Sequence, residues 1–227
     1  MFSVTESWNP KQALLRQIIN KTESFEEAKV LLMELHSLVH SKQVYENSAK
    51  SYFEEILAEL NENNFRIMPS AKNATIAWDI WHITRIEDIT SSIFINNDNQ
   101  IFNIEWQKKL GTAVSDTGNA MTVQEIIEFS KEMNLQELMN YRNAVGRKTR
   151  NIIENLYASD MKRKFSDKQT QRVLNEGGVT EHPDSIWLKD FWGKKTVAGI
   201  FLMPTTRHQI VHINDCRNIL DRYRRTL

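Results

Sequence analysis

Seven glycines and four prolines are spread over 227 residues, so few positions interrupt a helix. Between them, the apolar residues recur at three- and four-residue spacing rather than in alternation, which predicts an all-α fold. Ser24 and Glu27 read as a capping box. Behind them Ala28, Leu31, Leu32, Leu35, Leu38 and Val39 mark one face of a helix at about 24–41. A second amphipathic stretch, Tyr52, Phe53, Ile56, Leu57 and Leu60, runs into Asn61-Glu62-Asn63-Asn64, which predicts a helix stop and a loop. Residues 73–95 are the most hydrophobic helical segment of the first half. Ile76, Ile80, Ile83 and Thr90 lie along one face, with Trp78, Trp81, Arg85 and Ile89 beside it, and His82 falls at the edge of this core-facing surface.

From Asn96 to Thr122 turn residues dominate, and the expectation is a connection with one short helix. Val123, Ile126, Ile127 and Phe129 predict the next helix, and Leu135 through Leu156 a longer one at about 134–157. Residues 158–186 are polar, contain Gly177-Gly178 and Pro183, and read as a surface excursion. Helical character returns from about 196 to 225, where Pro204 removes a backbone donor and predicts a helix start or kink near Met203. Three or four long helices with short satellites point to one domain over residues 1–227, an antiparallel four-helix bundle in which facing helices can build a buried metal site.

Acidic and basic residues number 29 each with no long run of one sign, so the footprint of a nucleic-acid binder is missing. The start MFSVTESWNP lacks the pattern of a secretion signal, and no apolar run approaches the ~20 residues of a membrane helix. A cytoplasmic protein is the expectation. Cys216 is the only cysteine, so any metal needs histidine and carboxylate ligands.

His208 and His212 are spaced i, i+4, which on a helix puts them about 6 Å apart along the axis and about 40° apart around it. Two such imidazoles can reach one ion, and His82 is a candidate third ligand. His36 and His40 have the same spacing, and geometry alone does not rank the two pairs; their place at an apparent helix end also suits imidazoles that satisfy terminal carbonyls. His182, before Pro183, reads as a solvated loop residue. Gln209 stands where a zinc protease of the H-E-x-x-H type carries its general base, and an amide cannot take a proton, so a protease is excluded. Serine-hydrolase, P-loop and dinucleotide motifs are absent.

The blocks Ile76-Ala77-Trp78-Asp79-Ile80-Trp81-His82-Ile83-Thr84-Arg85-Ile86-Glu87-Asp88-Ile89 and Phe191-Trp192-Gly193 through Met203-Pro204-Thr205-Thr206-Arg207-His208-Gln209-Ile210-Val211-His212, together with Leu35-His36-Ser37-Leu38-Val39-His40, closely resemble the DinB-like (DinB/YfiT) superfamily of metalloenzymes. The resemblance implies a four-helix bundle with a metal-binding triad of His82, His208 and His212, a divalent ion such as nickel or zinc, and a homodimer. It also implies a small-molecule substrate and a low-molecular-weight thiol as cosubstrate in transfer or isomerisation. The polar segment at 158–186 exceeds what the shorter members carry.

Three neutral imidazoles would leave an ion its full charge and an open position to activate a thiol or water. Glu87 and Asp88 lie about 140° and 240° around the helix from His82, which suits packing or pairing with Arg85 better than proton transfer. Gln209, Asp215 or Thr206 could fix an imidazole tautomer, and Trp78, Trp81, Trp187 and Trp192 could line an apolar pocket. Two other classes fit the same sequence: a noncatalytic metal-binding or damage-response interaction protein, and a metal-free helical binding module.

Overall fold

The computed structural model describes residues 4–46, 51–70 and 74–225. Among them the fold is all-helical, with no strand beyond an isolated bridge between Lys164 and Thr196. A π-helical turn, Val4–Trp8, leads into α1 (Asn9–Ile18), a helix absent from the expectations above. Then follow α2 (Phe25–Leu38), α3 (Tyr52–Leu57) and α4 (Glu62–Phe65). The expected loop at Asn61–Asn64 is instead the start of α4. Asn61 accepts from Asn64 N while Asn64 reaches back to Asn61 N, so the polar cluster caps a helical turn rather than dissolving one.

The central element is α5 (Ile76–Ile89), opened by Thr75, whose hydroxyl accepts from Trp78 N. The first residue of the predicted 73–95 helix lies outside the described residues. From Ile89 the chain continues as a π turn, Thr90–Ile95, where Thr90 Oγ1 donates back to Ile86 O at 2.7 Å. The expected 96–122 connection holds one short helix, α6 (Ile104–Leu110). It leads to α7 (Val123–Glu132) and the long α8 (Leu135–Glu154).

The 158–186 segment keeps most of its residues partly or fully exposed, as expected of a surface excursion, but it is ordered into helices and anchored to the core. It contains α9 (Asp167–Asn175) and the start of α10 (Pro183–Gly193), and buries Met161, Gln169, Val173 and Val179. Gln169 donates from Nε2 to the carbonyls of Ile93 and Phe94, both at 3.0 Å, satisfying backbone oxygens of the π turn. The last stretch breaks at Met203–Thr206, between α11 (Val197–Leu202) and α12 (Arg207–Arg224), as Pro204 predicts.

α5 packs against α12 on one side and α8 on the other; α2 packs on α8, and α1 covers α2. As a result α5 is enclosed around its whole circumference rather than on one face, with Trp78 alone partly exposed. Asp79, His82, Arg85, Glu87 and Asp88 are thus inside the protein, and each must find a polar partner there. No helix among the described residues is long and apolar enough to cross a membrane.

Candidate metal centre

His82 faces α12 from α5, and His208 and His212 come from successive turns of α12. The three rings meet: centroids are 5.0 Å apart for His82 and His208, 4.8 Å for His82 and His212, and 4.6 Å for the α12 pair. One nitrogen from each lies within 4.8 Å of the others, and His82 Nε2 is 3.3 Å from His208 Nε2.

The back of two rings fixes their protons. His82 Nδ1 is 2.7 Å from Thr117 O; a carbonyl only accepts, so Nδ1 carries the hydrogen and Nε2 presents a bare lone pair. His212 Nδ1 is 2.8 Å from Asp79 Oδ1, which likewise holds the proton at Nδ1. His208 Nδ1 is buried without a hydrogen bond among the described residues. Burial, then the nearby His212, pushes His82 down to about 3. Burial, then His82 and His212, holds His208 well below the ordinary imidazole range. Both are neutral at pH 7, the state that binds a metal. Metal–nitrogen bonds of about 2.0–2.1 Å in tetrahedral array set ligand nitrogens about 3.3–3.4 Å apart, so the His82–His208 spacing fits a divalent ion.

The irregular segment between α6 and α7 shapes this site through its backbone. Four consecutive carbonyls accept from side chains of α5: Ser115 O from Arg85 Nε at 2.9 Å, Asp116 O from Trp81 Nε1 at 3.1 Å, Thr117 O from His82, and Gly118 O from Trp78 Nε1 at 3.2 Å. Gly118 has φ +75°, and a Cβ there would sit 2.7 Å from Trp78 Nε1, so the close approach requires glycine. Trp78 stacks on His82 with centroids 4.5 Å apart and planes 10° apart, covering one face of the ring.

Several supporting roles differ from expectation. The imidazole partners are Thr117 O and Asp79, not Gln209 or Thr206: Thr206 Oγ1 donates to Phe201 O at 2.6 Å, and Gln209 turns into the core. Asp215 lies near His212 and Asp79 without a hydrogen bond to the ring, and burial raises its carboxyl. Among the four tryptophans singled out, Trp78 touches the triad, Trp81 and Trp192 are core, and Trp187 is exposed on α10. Cys216 is buried 3.9 Å from Asp79 Oδ2, and burial raises its thiol well above the ordinary range, so it is no nucleophile.

His36 and His40 form a separate cluster and do not enter the triad. Their Nε2 atoms lie 2.8 and 3.0 Å from Glu87 Oε1 and Oε2, and His36 Nδ1 lies 2.7 Å from the Tyr45 hydroxyl. The expectation that these rings satisfy helix-end carbonyls is thereby corrected, since a carboxylate buried on α5 draws them instead. Burial opposes ionisation of Glu87, but His40 and His36 outweigh it and hold the carboxyl well below its ordinary range. Burial pushes His40 down to about 3, so its Nε2 donates to the carboxylate from a neutral ring, while its Nδ1 is buried without a hydrogen bond among the described residues. Arg142 balances that charge, and a divalent ion added here would leave a net positive charge in full burial. The cluster therefore suits a hydrogen-bonded anchor better than a second ion. Asp88 pairs with Arg85 at 3.1 Å and accepts from Tyr141 at 2.7 Å, so it is also unavailable for proton transfer. His182 caps α10 by accepting from Asp184 N at 3.2 Å, on the surface.

No curated protein matches the chain. A family model does: that of the DinB superfamily, over residues 47–215, a span that takes in His82, His208 and His212 and begins after His36 and His40.

Proposed function

The chain belongs to the DinB superfamily, and from that membership we propose that it is a metal-dependent enzyme in which His82, His208 and His212 hold one divalent ion, nickel or zinc. The observation that carries this reading is the convergence of three imidazoles, two with Nδ1 protons pinned behind them so that Nε2 is the unprotonated nitrogen. We read the four long helices α2, α5, α8 and α12 as a bundle and residues 1–227 as one domain. We further take the protein to work in the cytoplasm as a homodimer.

A bound ion with three neutral ligands supplies a Lewis acid that lowers the pKa of a thiol or water. The chain's own groups then have distinct tasks. Thr117 O and Asp79 keep the protons of His82 and His212 at Nδ1, and Trp78 keeps water from one face of His82. With Asp79 bound to His212, and Glu87 and Asp88 engaged elsewhere, Asp215 is the nearby carboxylate left to take a proton from the nucleophile. We place a low-molecular-weight thiol as cosubstrate in transfer to a small molecule.

Metal analysis of the purified protein tests the centre: one equivalent is expected, lost on replacing His82, His208 or His212 by alanine. After cobalt substitution, an added thiol should shift the absorption bands. Tight binding with bands indifferent to thiol would instead favour an ion that only braces the helices, and no bound metal at all would end the proposal.

A further inference from the structure

His208 is followed by Gln209, whose side chain helix geometry turns about 100° away from the imidazole. It is fully buried, and both ends of its amide are used. Nε2 donates to Ile83 O at 3.0 Å and, at 3.4 Å, to Pro204 O; Oε1 accepts from Arg142 at 2.9 Å. Ile83 follows His82. The amide therefore joins α12 to α5 one residue beyond a triad histidine on each helix.

We infer that Gln209 is a positioning residue that sets the separation of the two helices carrying the triad, so that metal affinity depends on an amide that never touches the ion. The inference rests on the metal reading above. Arg142 fixes which way the amide faces: a guanidinium only donates, so the amide oxygen must meet it and the NH2 must point at the carbonyls. Arg142 is itself held by bonds to Thr84 Oγ1 at 3.1 Å and Val39 O at 2.7 Å. A glutamate at position 209 could meet Arg142, but would set a carboxylate oxygen against Ile83 O with no proton between them. Glutamine thus meets a requirement for a donor and an acceptor at once, and it does so away from the reacting groups.

The test compares Gln209→Glu and Gln209→Met with the unaltered protein in zinc affinity, by chelator competition, and in the cobalt absorption spectrum. Ile153→Val, in the apolar cluster with Ile19 and Leu32, serves as a core substitution remote from the triad. Weakening by about 10–100-fold, with displaced cobalt bands, is expected for each folded position-209 variant, while Ile153→Val lowers the melting temperature and leaves affinity alone. Unchanged affinity and spectrum in a folded position-209 variant would overturn the inference. So would an affinity loss in Ile153→Val matching theirs at equal loss of melting temperature, or failure of both position-209 variants to fold. If the unaltered protein binds none of zinc, nickel and cobalt, the metal reading fails first and this inference falls with it, a pattern distinct from the others.

Discussion

Asp79 sits in the core one helical turn before His82, yet its carboxylate serves His212 on the opposite helix. Burial, and to a smaller extent the nearby Asp215, raises its carboxyl, and the His212 ring offsets part of that cost. Replacing it by alanine leaves the His212 Nδ1 proton without its acceptor, and metal affinity measured by chelator competition should fall about 10–100-fold. Asp79→Asn, which keeps an oxygen in place, should lose less. His40 supports a second expectation. Inside the fold it stays neutral down to about pH 3, against an ordinary 6.5, because burial outweighs the attraction of Glu87 while His36 and Arg142 add to the depression. Between those values the unfolded chain holds the extra proton, so stability rises with pH, by up to about 1.4 kcal/mol per pH unit from this group. Glu87, held below its ordinary 4.5, loses its own contribution only at more acid pH. Urea midpoints should be lower at pH 5 than at pH 7, and the gap should narrow in His40→Gln; an unchanged gap would remove His40 as its source. At this scale spacing marks His208–His212 and His36–His40 equally, and it is the family resemblance that picks out the former pair together with His82. Thr117 was not legible, because a backbone oxygen brought in by a distant segment leaves no mark on residue type, and Asp79 was not, because its partner lies on another helix.

Among the elements, α8 approaches the segment that follows α2 closely enough that side-chain size is restricted. Gly146 on α8 lies beneath His40: a Cβ there would stand 2.6 Å from His40 Nδ1 and 3.0 Å from Val44 Cγ2. In an exposed helix Gly→Ala gains about 1 kcal/mol, but overpacking against a ring pinned by Glu87 costs about 1–3 kcal/mol. Gly146→Ala should therefore lower the melting temperature, and a rise would show that the ring can yield. The long helices α2, α5, α8 and α12 were legible because their apolar periodicity runs for several turns. α9 was hidden because most of its positions are polar and its buried contacts come from Val173 and Gln169. α4 was hidden because asparagines suit caps and loops alike until the partner at the third position is known.

Across the whole molecule Arg142 links more helices than any pairwise contact described above. From α8 its guanidinium bonds to Thr84 on α5, Val39 at the end of α2 and Gln209 on α12, and lies 4.4 Å from the centroid of the Phe53 ring on α3. Arg142→Met would strand those acceptors and leave Glu87 without its balancing charge, so unfolding free energy from urea titration should drop by about 3–5 kcal/mol. A change within about 0.5 kcal/mol, the range of ordinary surface substitutions, would show the network to be dispensable. The all-helical class was written in the scarcity of breakers. That α5 is enclosed on every side was not, because periodicity reports a helix's apolar stripe and says nothing of neighbours that meet its polar residues. The strap of oxygens from Ser115 to Gly118 has a different consequence. Every amino acid brings the same C=O, so the grip on the rings below depends on the course of the backbone and not on which residues supply the oxygens. The side chains beside those oxygens are spent on the loop itself: Ser115 Oγ donates to Gly177 O at 3.2 Å, Asp116 Oδ1 accepts from Gly118 N, and the buried Thr117 donates to Asn119 Oδ1 at 2.7 Å, so a substitution there reaches the imidazole only by moving the backbone that carries its acceptor.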